Sequence, residues 1–376
     1  MINIDDNRII MTLDAGGTNF IFSAVSNGKQ AVSPITLPSN AYSLDLCLNT
    51  IIKGFLLISN QLRNNPEAIS FAFPGPADYP NGVIGDLMNL PGFKGDVPLK
   101  YILQEKFKIP VFINNDGNLF AYGEALGGVL PFVNKKLKEG GSEKRFHNLI
   151  GITLGTGLGG GIVCNNELII GDNSNGGEIW IMGNRYNPKM NIEESISARA
   201  VQRVYNELSN NNKVTLSPFE IYQIGIGQKE GNKDAALESF KQLGLALGDI
   251  IANLVAVFDG IIVIGGGISG AKKLFMPHTL NEIRSQFKNY SENSYSRTVQ
   301  KLFDLDNEHE LNEFIVGKTK KIIVPETNKV IYFDSLKRTG IAFSKMGTSQ
   351  AASLGAYAFA LNQLDKMNKN KSVNIK

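Results

Sequence analysis

The chain has 376 residues, of which 43% are hydrophobic and 19% charged, with a formal net charge of +3. That length allows two domains with a well-buried core, and so small a charge excludes an electrostatic nucleic-acid binder. Two distant cysteines, Cys47 and Cys164, and three scattered histidines, His147, His278 and His309, exclude a disulfide scaffold and give no metal-ligand spacing for zinc.

The N-terminal "MINIDDNRII" has neither a basic region nor an apolar core, so no signal peptide is expected. No apolar run reaches about 18 residues, so a cytoplasmic protein without membrane contact is expected. The first predicted strand, Ile9 to Leu13, runs into Asp14-Ala15-Gly16-Gly17-Thr18, and a second, Phe20 to Val25, ends at Asn27-Gly28. "LDLCLNTIIKGFLLISNQL" has the period of an amphipathic helix, "AISFAFPG" of a strand, "LKYILQEKF" of a helix and "PVFINN" of a strand. Asn115-Asp116-Gly117 follows. These residues tolerate positive φ and signal a hairpin turn, but a carboxylate at a strand end also suits a general base. "GNLFAYGEALGGVL" then reads as a helix, with Glu124 on its solvated face.

A second glycine loop, Gly155 to Gly160, lies between strands Leu149–Leu154 and Gly161–Cys164 and precedes Asn165-Asn166. Strand, Gly/Thr loop, strand and Asn-containing turn thus occur twice, the pattern of two similar α/β halves. Glu193 and Glu194 open "EESISARAVQRVYNEL", where acidic residues suit a helix N-terminus. "KDAALESFKQLGLALGDIIANLVAVF" is a long helix feeding strand Ile261–Ile264, the loop Gly265-Gly266-Gly267 and another helix. Residues 281–345 are polar, with short strands "KKIIVPE" and "KVIYF"; "TSQAASLGAYAFALNQL" is a small-residue helix and "DKMNKNKSVNIK" a solvated tail. Strands alternating with helices indicate an α/β fold with mixed sheets.

Glycine loops let backbone N–H groups approach phosphate oxygens. The Walker pattern GxxxxGK[ST] is absent. GxGxxG spacing occurs at Gly155, Gly157, Gly160 and at Gly265, Gly267, Gly270. The first copy leads into a strand and the second lacks the acidic partner, so neither fits a dinucleotide fold. Three such loops suit a nucleoside triphosphate, with Thr18 and Thr156 adding hydroxyl donors and Asp14 suiting a magnesium ion through water.

Together "LDAGGTN", "FAFPGPAD" with "NLPGF", "NNDGNLFAYGE", "ITLGTGLGGGIV" and "IVIGGGIS", in that order, resemble the ROK family of sugar kinases within the actin-like ATPase superfamily. The resemblance implies two actin-like, ribonuclease H-like lobes, with mixed sheets flanked by helices and the active site in the interlobe cleft. Residues 1–118 would form the N-terminal lobe, with a C-terminal helix from about 350 to 376 packing back onto it. Residues 119–349 would form the second lobe, with 281–345 atypical. It implies transfer of the ATP γ-phosphoryl group to a hexose hydroxyl, with magnesium, and with Asp116 on the catalytic base. Asn89, Asn115, Glu178 and Glu193 fall on sugar-contacting positions. Asp14, Gly16, Gly17, Thr18, Gly155, Thr156, Gly157, Gly265, Gly266 and Gly267 fall on the ATP loops. A homodimer is implied only by the family. A sugar-sensing regulator is the alternative; a first loop beginning at about residue 14 is expected to leave no room for a preceding DNA-binding region. An inactive homologue without turnover is another.

The sequence departs from the family at "GGEIWIMGNRYNPKMNIEE": Trp180 stands for a glycine, Ile181 for a histidine, and the cysteine-rich zinc loop is missing. No zinc is therefore expected, and packing around Tyr186 and Pro188 is expected to take over its ordering role. A hydrogen-bonding site missing one group selects sugars differently, so which hexose is used stays open.

Overall fold

A computed structural model describes residues 6–75, 77–87, 90–209 and 216–373, with side chains through residue 370. The fold is mixed α/β and divides into two compact units: Met1–Gly128 with Gly161–Gly177 and Met346–Lys376, and Val129–Gly160 with Glu178–Lys345.

The first unit is built on strands Ile10–Ala15, Ala68–Ala72 and Val111–Asn114, paired in parallel in that order. Ala68–Ala72 is buried at every position, as a central strand covered on both faces must be. Strand Asn19–Ser26 adds antiparallel beside Ile10–Ala15, and turns at Asn27 (φ 52°) and Gly28 (φ 64°) into Lys29–Gln30. Helix Leu44–Gln61, capped by the Ser43 side chain, lays Cys47, Ile51 and Phe55 on this sheet. Phe55 meets Phe22 edge-on and leads a chain of rings through Phe71, Phe73 and Phe93.

The expected lobe boundary at residue 118 falls inside helix Asp116–Leu126, which belongs wholly to the first unit. Its partner is the C-terminal helix Thr348–Val373. The backbones meet where a Cβ on Gly123 would lie 1.9 Å from the Ala351 oxygen, and one on Gly355 1.8 Å from the Leu119 oxygen. Only glycine permits that approach, which explains the small-residue composition of the C-terminal helix. Glu124 is fully buried on this helix rather than on a solvated face. The lysine-rich tail continues the same helix, exposed from Asp365 through Asn370.

The second unit carries an all-parallel run of strands in the order Leu149–Leu154, Ile261–Gly265, Arg338–Phe343 and Lys301–Asp304. Strand Leu158–Cys164 starts in this unit and carries the chain into the first. There Asn165 (φ 51°) and Asn166 (φ 63°) turn it into Glu167–Leu168, the counterpart of the Asn27-Gly28 hairpin. The repeat read from the sequence therefore has the same local geometry in both copies.

Helix Lys233–Val257 is, among the described residues, long and apolar enough to cross a membrane. Its most apolar window is 67% buried inside the protein, as expected of a core helix. Residues 281–345 contribute more to the core than their polarity implies. Arg338–Phe343 is buried throughout, with the Arg338 guanidinium paired to Asp334 and stacked over Phe314.

Candidate active site

In the first unit, the parallel register places Asp14 beside Ala72 and Ala72 beside Asn114. Three strands thus end at one level, and ligands of open α/β sheets bind at such carboxyl ends. Asp14 and Asn114 are two strand spacings apart, about 10 Å.

The Asn-Asp-Gly stretch forms a helix start and not a hairpin. Asn115 is the N-cap (φ −66°, ψ 146°), its Oδ1 accepting the N–H groups of Gly117 at 2.7 Å and Asn118 at 3.4 Å. Asp116 is the first helical residue and Gly117 the second, and the Gly117 N–H also reaches Asp116 Oδ1 at 2.9 Å. Asn114 Oδ1 braces the corner by accepting from the Asn115 N–H and Asn118 Nδ2. The cap turns Asp116 outward, where it is solvent-accessible. Desolvation by the surrounding protein raises its pKa; the Gly117 and Asp116 N–H groups oppose this, and the charge on Asp14 adds to it. A carboxylate so shifted is a better proton acceptor than an ordinary one.

The first glycine loop, Gly16-Gly17-Thr18, is exposed, with the Gly16 N–H on the Asn19 oxygen at 3.1 Å. Ser39, buried at 2% exposure, holds it in place. Its hydroxyl donates to the Gly17 oxygen at 2.6 Å and its N–H to the Thr18 oxygen at 2.9 Å. Ser39 lies in "LPSN", which carries no pattern to single it out.

In the second unit, Ile264 pairs with Ile152 and Gly265 with Thr153, so the second and third glycine loops leave neighbouring strand ends. The second loop is shorter than expected, only Gly155-Thr156-Gly157, because Leu158 already begins a strand. The Gly155 N–H bonds the Gly157 oxygen at 3.0 Å, and the Gly155 oxygen accepts the Ala198 N–H at 2.9 Å. Gly266 (φ 91°) passes over Leu154, where a Cβ would lie 2.2 Å from its oxygen. Glycine is therefore required there on both counts. Beyond it, Gly267, Ile268, Gly270 and Ala271 share an apolar notch of about 90 Å³ with Phe219 and Tyr222.

Glu193 sits in a 3-10 turn, Ile192–Glu194, ahead of helix Ala198–Ser209 rather than at its N-terminus. Its Oε2 accepts the Leu158 N–H at 2.8 Å and its Oε1 pairs with Arg199 at 2.6 Å. Both oxygens are thus committed to the second loop and its flanking helix. Glu178 accepts from the Trp180 indole N–H at 2.5 Å, while Ile181 is 64% exposed. Trp180 is therefore a polar partner of Glu178 while its ring packs against the second unit's core. Asn89 lies outside the described residues.

Where the family's zinc loop would stand, Asn184 orders the chain instead of Tyr186 or Pro188. Buried at 3% exposure, it donates to the Asn191 oxygen and Ser195 Oγ and accepts the N–H groups of Tyr186 and Asn187. Among the described residues no group of three or more His, Cys, Asp or Glu side chains could hold a metal ion.

Known proteins match along most of the chain. A solved glucokinase structure from Parabacteroides distasonis is 47% identical, covering 96% of this chain and 99% of its own, with a TM-score of 0.84. A glucokinase from Halalkalibacterium halodurans is 28% identical over 305 residues, 76% of this chain and 87% of that protein. A ROK family glucokinase from Streptomyces griseus, solved with glucose and AMPPNP, shares the fold at a TM-score of 0.58 and 20% identity, covering 93% of this chain and 97% of its own. The ROK family model itself matches residues 10–308. With strand ends, glycine loops and family model agreeing over well more than half of its length, the chain belongs to the ROK family.

Proposed function

We propose that the protein is an ATP-dependent sugar kinase acting on glucose or a closely related hexose. The observation that carries this reading is Asp116: a carboxylate turned out at a capped strand-to-helix corner, with its pKa raised and Asp14 at the end of the strand two spacings away. The glucokinases similar to this chain support the hexose.

In this reading Asp116 accepts the proton of a sugar hydroxyl as that oxygen bonds to the γ-phosphorus and the bond to the ADP oxygen breaks. The glycine loops would take the phosphates: at Gly155 and Gly267 the space a Cβ would occupy is open, so the backbone N–H groups there can be approached by a ligand. The notch of Phe219 and Tyr222 suits a flat purine face. Asp14 would hold a magnesium ion through water, and that ion supplies positive charge on the phosphates. Asn115 and Glu178 would meet sugar hydroxyls, and so would Asn89 by the family pattern. Glu193 contributes mainly by fixing the second loop.

An ADP-release assay over hexoses, N-acetylhexosamines and ketoses tests this. Stimulation by a hexose is expected, and ATP hydrolysis unchanged by every sugar would refute it.

A further inference from the structure

The segment that stands in place of a zinc loop joins two short 3-10 turns. Turn Ile179–Ile181 lies against turn Ile192–Glu194. The chain between them is closed by an isolated bridge from Gly183 to Asn191 and by the Ile192 N–H on the Met182 oxygen at 2.9 Å. The Met182 N–H returns to the Ile179 oxygen at 3.1 Å, and Ile179 and Ile192 are both buried in the second unit's core. Two carboxylates stand on this support, Glu178 just ahead of the first turn and Glu193 within the second.

The two carboxylates differ in what holds them. Glu193 gives one oxygen to the Leu158 N–H and the other to Arg199, which ties it to the second glycine loop and the helix beside it. Glu178 instead receives the Trp180 indole N–H on Oε2 at 2.5 Å, from two residues along its own turn. An indole N–H can only donate, and a carboxylate has about four acceptor sites, so this bond takes one site and sets the plane of the group. The indole is itself held, because its ring packs on the second unit's core. The donor therefore stands on a fixed platform rather than on a mobile surface side chain.

We propose that Trp180 is a positioning residue for the sugar, acting through Glu178. The inference rests on the kinase reading, in which Glu178 meets sugar hydroxyls. A hydrogen bond to an ionised group is about twice as strong as a neutral one. A side chain held by one is already ordered when the ligand arrives, so less binding energy is lost in fixing it. Of the two glutamates, Glu193 is tied to the glycine loop, so the sugar falls to Glu178 and its orientation to Trp180. A ring without the N–H would keep the packing and lose the hold, which separates positioning from a merely structural role.

Trp180→Phe makes that separation. The KM for hexose is expected to rise about 10-fold or more, the scale of one hydrogen bond to a charged group, while the KM for ATP stays at the wild-type value. In a Glu178→Ala background the same substitution should change the hexose KM by less than about two-fold, since no carboxylate is left to hold. Trp180 is the chain's one tryptophan. Hexose added without nucleotide should therefore change the tryptophan emission of the wild type and leave that of Glu178→Ala unchanged. A wild-type hexose KM in Trp180→Phe, equal rises for hexose and ATP, or the full rise persisting in Glu178→Ala would overturn the positioning role while the kinase reading stands. A wild type with neither hexose-dependent turnover nor an emission change would overturn both. An emission change without turnover would support the Trp180–Glu178 pair and refute only the kinase reading.

Discussion

Replacing Gly157 with alanine isolates one contact. The Gly157 backbone is not in the left-handed region, so alanine suits its conformation, but the new Cβ would lie 2.3 Å from Glu193 Oε2 and 3.1 Å from its Cδ. The carboxylate cannot swing aside without leaving the Leu158 N–H and Arg199. Leu158 is 2% exposed, so its N–H would lose a charged acceptor with no water to replace it, at about 1.5–3 kcal/mol. Arg199 is half exposed, and its share is at most about 0.5 kcal/mol. Gly157→Ala should therefore cost about 2 kcal/mol, a fall of about 2–3 °C in Tm for a chain of this length, and raise the KM for ATP because the loop shifts. Glu193→Ala alone should cost a similar amount. In the double variant the methyl group has room, so the costs should fall short of their sum by about 1–2 kcal/mol. Thermal unfolding of the four proteins, with KM measured alongside, gives the cycle. Strict additivity, or a wild-type Tm for Gly157→Ala, would refute the coupling of Glu193 to the loop.

Other consequences follow from single residues. Because the pKa of Asp116 is raised in the folded state, the acidic limb of kcat/KM should lie above the ordinary carboxylate value near 4, with activity falling as pH drops through it; a limb at or below that value would contradict this. The same shift means ionised Asp116 costs stability at neutral pH, so Asp116→Asn should melt at or above the wild-type Tm at pH 8. Asn184→Ala removes four hydrogen bonds from a buried turn and should cost about 2–4 kcal/mol in thermal unfolding. Zinc chelators, in contrast, should leave the wild-type Tm unchanged. Burial pushes the Cys47 thiol up to about 11, so a native thiol titration should register Cys164 first and Cys47 only on unfolding.

The parts that were legible in the sequence are those with strong period or punctuation. The Gly/Thr loops, the paired Asn turns and the long helices follow from glycine freedom and apolar spacing. Asn-Asp-Gly serves a hairpin and a helix N-cap equally well, and only the following helix decides for the N-cap at Asn115. Glu124 looked solvated because helix Asp116–Leu126 is buried all round and has no polar face to betray its orientation. Arg338–Phe343 was missed because its core burial depends on an arginine paired with Asp334, which breaks the apolar run. Ser39 and Asn184 act through hydrogen bonds, mostly to backbone that is distant or locally turned, for which no spacing rule exists. The helix through residue 118 stays with the first unit because its glycine crossing with the C-terminal helix is a tertiary fact that no sequence spacing reveals.

The most direct test of the proposed chemistry is hexose-dependent ADP release by Asp116→Asn, with ATP binding and Tm measured in parallel. Asparagine keeps the shape and the helix start but cannot accept the proton, so kcat should fall by at least about 10²-fold while ATP binding and Tm persist. Turnover near the wild-type rate in that folded, ATP-binding variant would contradict the assignment of Asp116 as the base.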